Sequence, residues 1–185
     1  MVLKNDDFMN RLPIHLYCLL VFIFLGQGRV EAQAGFNIQK GGHAYKIEIP
    51  EYMQRVYDLN DVASIQYMDA SKPAYTIVIE DSKEELAYFD IRYDDAYDFI
   101  NAFLGVFKAD VSTRRVGKLV EFEAGGVRYA QTTMKWEEED QSLYMLITVL
   151  ESPTHFYKIL SWTTQEWEQR LKDDFQRISL SLREY

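Results

Sequence analysis

Residues 142–181 read SLYMLITVLESPTHFYKILSWTTQEWEQRLKDDFQRISLS, and three patterns follow one another along them. From Ser142 to Leu150, the residues Leu143, Met145, Ile147 and Val149 fall at every second position, so they share one face of a strand. Glu151-Ser152-Pro153-Thr154 is a turn, and His155–Trp162 returns as a second strand. The period then changes. Trp167, Leu171, Phe175 and Ile178 are spaced by four, four and three residues, which places them on one face of a helix. Thr163-Thr164-Gln165-Glu166 has the form of a capping box and predicts that Thr163 and Glu166 close the first turn of that helix. Two neighbouring strands feeding a helix with one apolar stripe predict an antiparallel sheet with the helix laid on it.

Upstream the same alternation recurs. Tyr45, Ile47 and Ile49 oppose Lys46 and Glu48. Ala63, Ile65 and Tyr67 alternate with Ser64 and Gln66, and Tyr75, Ile77 and Ile79 form a third face after a turn at Asp69–Pro73. Ser82-Lys83-Glu84-Glu85 is a further capping-box pattern, predicting a short helix through Leu86 and Phe89. Tyr97, Ile100, Phe103, Leu104 and Phe107 predict one stripe on a helix from Asp94 to Lys108, with Asp94 and Asp95 at its positive end. Val116–Phe122 and Val127–Trp136 read as strands joined at Gly125-Gly126. The acidic run Glu137–Asp140 is the next turn. No linker rich in Pro, Gly or Ser divides residues 35–185, so the reading is a single α+β domain.

The tail resembles the PsbP-like fold. The resemblance rests on Leu146–Leu150, then His155–Thr163 with its tyrosine and tryptophan, then the amphipathic helix closing on Phe175–Ser181. The opening strand Tyr45–Ile49, followed by Pro50 and a short helix, fits the same pattern. It implies an antiparallel β-sheet with amphipathic helices packed on it, an α/β sandwich over most of residues 44–181. Members of that superfamily mostly bind partners and share no catalytic motif that maps onto this chain, so the resemblance implies no catalytic or cofactor residue.

The amino-terminal end has a different character. Leu12–Leu25 is an apolar run of signal-peptide length, shorter than the roughly 20 residues a bilayer-spanning helix needs. Ala32-Gln33-Ala34 follows and fits the small-x-small cleavage pattern. Residues 1–34 therefore read as a signal peptide cut between Ala34 and Gly35, and Met9 offers a second start. The only cysteine, Cys18, falls within this segment, so the processed chain has neither a disulfide nor a thiolate ligand. An exported, disulfide-free domain of about 150 residues, long enough to bury a real core, is expected in a bacterial periplasm or as a secreted protein.

The segment before Gly35 carries equal numbers of acidic and basic residues, so the remainder keeps the whole chain's net charge of −9. Such a field repels nucleic acid at long range. Only His43 and His155 remain after cleavage, without the spacing of a zinc site, and no serine stands in a Gly-x-Ser-x-Gly elbow. Asp90, Asp94, Asp95 and Asp98 form one carboxylate cluster and Glu137–Asp140 another. Neither has the glycine-centred calcium-loop pattern, and both read as helix-end or hairpin-tip charge. Twelve of the thirteen tyrosines follow Gly35, and tyrosine is favoured both in strands and at binding surfaces.

The reading that follows is an exported, non-catalytic binding or accessory domain of the cell envelope. Its expected partner is another envelope protein, with neither metal nor cofactor and no membrane span after cleavage. Two other readings stay open. A carboxylate-dependent enzyme acting on glycans would show two converging carboxylates, one with a raised pKa. A small-ligand carrier would enclose an apolar cavity.

Overall fold

The protein was analysed as a computed structural model that describes residues 34–42 and 44–185. The segment read as a signal peptide lies outside the described residues up to Gln33, as does His43. Ala34 and Gly35, the proposed cleavage pair, precede the first strand, and the Gly35 carbonyl accepts from the Glu51 amide at 2.8 Å.

The elements run β1 (Phe36–Gly41), β2 (Tyr45–Pro50), β3 (Gln54–Arg55), β4 (Ile65–Asp69), β5 (Ala74–Ser82), α1 (Lys83–Tyr88) and α2 (Ala96–Val106). They continue with β6 (Arg115–Val116), β7 (Val120–Ala124), β8 (Val127–Glu138), β9 (Gln141–Glu151), β10 (His155–Thr164), α3 (Glu168–Ser181) and β11 (Arg183–Glu184). The larger sheet has the order β3-β4-β5-β10-β9-β8-β6, with β7 also paired to β8; the smaller one is β1-β2-β11. Every strand pairing is antiparallel. The domain is therefore α+β, as the alternation predicts.

The larger sheet is buried on both faces. On one side Tyr129, Leu146, Leu150, Tyr157 and Ile159 meet Tyr45, Ile47 and Ile49 of β2 and Leu171, Phe175 and Ile178 of α3. On the other, Ala130, Met134, Ile147, Val149 and Phe156 meet Phe99, Ile100 and Leu104 of α2. This accounts for the unbroken burial of Tyr144–Leu150 in β9, where alternation alone had exposed one face.

Two hairpins show how the turns are made. Gly125 and Gly126 have φ of 60° and 76°, and Glu139 and Asp140 have φ of 49° and 62°. Both pairs are left-handed at both central positions, the conformation that matches strand twist.

Several expectations are corrected. The second capping box does not form. Thr163 and Thr164 stay in β10, paired with Tyr144 and Leu143 of β9. The helix opens later, on Trp167, which has no side-chain cap. Two more residues of sheet ladder outweigh one capping interaction. In α2 the inward residues are Ala96, Phe99, Ile100 and Leu104, while Tyr97 is 41% exposed. Phe99 takes the inward place because its ring stacks on Phe156 with centroids 4.6 Å apart. The stretch after Pro50 is a turn, closed by the Met53 amide on the Pro50 carbonyl at 3.0 Å, rather than a short helix. The strand expected over Val116–Phe122 is two strands. Its break falls at Gly117, whose added Cβ would come within 2.5 Å of Thr133 Oγ1. β1 and β11 are further strands that the alternation did not single out.

Candidate functional site

α1 begins as its sequence predicts. The Ser82 hydroxyl accepts from the Glu85 amide at 3.4 Å. Its end differs from expectation and creates the most exposed aromatic feature of the described chain. The helix stops at Tyr88, with Phe89 as the C-terminal cap residue. Asp90 then adopts φ 58°. The Ile91 amide donates to the Leu86 carbonyl at 2.9 Å and the Asp90 amide to the Ala87 carbonyl at 3.1 Å. These two bonds make a Schellman motif, with aspartate where glycine is usual. Phe89 keeps the helical bond from its amide to the Glu85 carbonyl at 3.3 Å, and at this helix end its side chain is exposed.

The helix end carries an exposed aromatic projection. Tyr88 is 83% exposed and Phe89 69%. Their rings pack edge to face at 5.3 Å, so each limits the other's rotamers while both face solvent. Ile91 and Tyr97 nearby in the chain are each 41% exposed. Tyr93, between them, turns inward and meets Phe99 and Phe156 edge-on. The α1–α2 segment thus joins an inward aromatic anchor, Tyr93, to the outward pair Tyr88 and Phe89. Exposed aromatic side chains that already pack on one another offer large contact area, which suits a protein contact.

The base of this segment is anchored electrostatically. Glu151 Oε1 pairs with Lys83 and Arg128, each at 2.9 Å, and Glu151 Oε2 accepts from the Ala96 amide at 3.2 Å at the start of α2. Asp95 caps α2 by accepting from the Asp98 amide at 2.9 Å, and Asp98 accepts from the Asp94 amide at 3.2 Å. Asp90 provides the left-handed turn. The first carboxylate cluster is thereby tied to the ends of α1 and α2. In the second, Glu138 holds Lys108 Nζ at 2.7 Å and accepts from Trp136 Nε1 at 3.1 Å. These hydrogen bonds, Lys108 first, hold its carboxyl below the usual range.

A third polar cluster closes the chain's end. Glu184 Oε1 accepts from Thr154 Oγ1 at 2.7 Å, Tyr157 OH at 2.9 Å and Ser152 Oγ at 3.0 Å, and lies 3.4 Å from His155 Nδ1. Burial works to raise the Glu184 carboxyl, but the hydrogen bonds and the nearby imidazole outweigh it and hold it below its ordinary value. Burial, then the bond to Glu184, pushes the Tyr157 hydroxyl up, so it stays a donor. A depressed carboxyl stabilises the fold above its unfolded pKa, and the contribution is lost as pH falls through the folded value. Glu184→Gln should therefore cost about 1 kcal/mol at neutral pH. In urea melts at descending pH the gap to the wild type should close through the acid range. A constant gap would mean the charge does no stabilising there.

The carboxyls displaced in this way, Glu138 and Glu184, both move downward, opposite to what a general acid requires. Among the described residues, no group of three or more His, Cys, Asp or Glu is placed to hold a metal ion. None of the described helices is long and apolar enough to cross a membrane. An open groove of about 510 Å³ lies beside β2 and the end of α3. Of the twelve tyrosines, Tyr45, Tyr67, Tyr129, Tyr144 and Tyr157 are core residues, and Tyr57, Tyr88, Tyr97 and Tyr185 are exposed.

The arrangement was compared with known proteins. No family model matches the sequence, and no curated protein matches it. Solved structures do. Cyanobacterial PsbP (CyanoP) from Synechocystis sp. PCC 6803, solved in solution, superposes with a TM-score of 0.62 at 16% identity, over 87% of this chain and 99% of that one. The domain has the PsbP-like fold. A crystal structure of LpqN, involved in cell envelope biogenesis in Mycobacterium tuberculosis, gives a TM-score of 0.57 at 9% identity, covering 82% of this chain and 91% of that chain. At these identities the likeness is one of architecture. What distinguishes this PsbP-like domain is read from its own surface, above all from Tyr88 and Phe89.

Proposed function

We propose that this protein is an exported, non-catalytic accessory domain of the cell envelope that docks on another envelope protein through the α1–α2 aromatic projection. The observation that carries the reading is the pair Tyr88 and Phe89, 83% and 69% exposed and packed edge to face on a Schellman turn. Large aromatics exposed side by side leave apolar area in water in the free protein and find their use at an interface. The reading of residues 1–34 as a cleaved signal peptide supports export, with Gly35 as the first residue of the working chain. The fold likeness to LpqN, a protein involved in cell envelope biogenesis, supports the envelope setting.

The test is a double variant, Tyr88→Ser with Phe89→Ser, expressed in the native host beside the wild type. Both positions face solvent, so the variant should melt within a few degrees of the wild type. Its co-purification with the wild type's principal envelope partner should fall at least tenfold, the scale of losing one anchor residue at an interface. Undiminished co-purification would place the contact elsewhere.

A further inference from the structure

The outer face of the small sheet carries a charge pattern at odds with the rest of the chain. Lys40 of β1 stands opposite Lys46 of β2, and Lys46 stands opposite Arg183 of β11. Residues opposite one another across strands share a face, so three cations form one cross-strand row, and all three are exposed. Like charges placed directly opposite destabilise a sheet. Lysine on an edge strand such as β1 guards against unwanted pairing, but Lys46 lies on the central strand and has no edge to guard. Among the described residues none of the three is ion-paired. In a chain of net charge −9, this row is a local reversal of sign.

The row borders the groove of about 510 Å³, which Lys46 and Arg183 line together with Ile38, Leu180 and the Arg177–Glu48 pair. Arg183 is fixed in place, its Nη1 donating to the carbonyls of Leu180 at 2.7 Å and Leu182 at 2.6 Å and to the Tyr129 hydroxyl at 3.2 Å, which leaves its Nη2 and Nε for a ligand. Arg177 is neutralised by Glu48 at 2.8 Å and lies over the Phe36 ring at 3.9 Å. What remains is a positive end at Lys46 and Arg183 and an apolar side at Ile38, which is 65% exposed. Adjacent cations suit a doubly charged oxyanion.

We propose that this groove binds an amphiphile made of a phosphate monoester head and a single apolar stem. Lys46 and Arg183 hold the head, and Ile38 and Leu180 take the first part of the stem. The site is separate from the α1–α2 surface and does not depend on it.

The test uses decyl phosphate below its micelle concentration, with amide chemical shifts of the purified protein as the readout. Saturable shifts confined to residues 38–40, 46–48 and 180–183 are expected. Inorganic phosphate and decanol should each bind at least tenfold more weakly. Lys46→Glu, at an exposed position without an intramolecular partner, should keep the wild-type spectrum away from the groove and weaken decyl phosphate by tenfold or more. Ile38→Ser should weaken decyl phosphate and leave the inorganic phosphate response unchanged. Equal affinity in Lys46→Glu, shifts centred elsewhere, or binding to phosphatidic acid vesicles without binding of the monomer would overturn the proposal.

Discussion

Phe175→Ala should destabilise the domain by about 3–5 kcal/mol, the usual cost of truncating a buried phenylalanine, where a cavity adds to the lost transfer energy. Phe175 is fully buried, and it sits between β2 and the larger sheet with Leu171 and Ile178. A domain of this kind is stable by roughly 5–15 kcal/mol in total, so much of the margin would go. Gln169→Ala, on the exposed side of α3, should stay within about 0.5 kcal/mol. Both changes introduce alanine, so helix propensity does not separate them; docking does. Urea melts of the two variants give the comparison. Equal, small effects would mean α3 does not dock through this stripe.

The second large effect belongs to the opposite face. Phe99→Ala should also cost about 3–5 kcal/mol, because Phe99 is only 4% exposed and stacks on Phe156 of β10. Tyr97→Ala, two residues earlier and 41% exposed, should cost no more than about 0.5 kcal/mol. The comparison is pointed because apolar spacing alone assigns Tyr97 to the inward stripe. A larger loss for Tyr97 than for Phe99 would restore that stripe and require α2 to be turned on its axis. If both Phe99→Ala and Phe175→Ala are severe, the larger sheet is held from both sides.

Much of this fold is legible in residues 142–181, because periods of about 2 and about 3.6 residues are direct consequences of strand and helix geometry. Leu143, Met145, Ile147 and Val149 share a face, and Leu171, Phe175 and Ile178 share another, as their spacing requires. What the periods do not show is how far an element extends when its neighbours compete for it. Thr163 and Thr164 carry a capping signal yet stay in β10, because β9 offers them ladder partners. Tyr97 and Phe99 are both aromatic, and only the position of Phe156, more than fifty residues away, decides which turns inward. β1 is quiet in the sequence because Phe36 and Ile38 alternate with polar Asn37 and Gln39 in a strand with little burial, and β11 is quiet because it has only two residues.

The candidate site was the least legible part. Phe89 lies three residues after Leu86, which on an uninterrupted helix would put both on one face. Asp90, in a left-handed conformation, ends the helix one residue later, so Phe89 stands at an exposed helix end. Glycine at that position would have signalled the stop; aspartate, also adequate for a helix entry or a turn, did not. The signal available in retrospect is the run Tyr88-Phe89-Asp90-Ile91, too apolar for a linker and too short to continue the helix. The Glu184 cluster was equally hidden, since it joins the last residues of the chain to the turn between β9 and β10 through side chains alone.

The central claim, that Tyr88 and Phe89 form a docking surface for an envelope protein, is tested most directly by site-specific photo-cross-linking in intact cells. A photoreactive phenylalanine analogue is placed at Phe89 in one strain and at Lys172, exposed on α3, in another. The account predicts one dominant adduct from position 89, of the same mass in repeated cultures, and little from position 172. Equal adducts at the two positions, or none at 89 when 172 yields one, would contradict it.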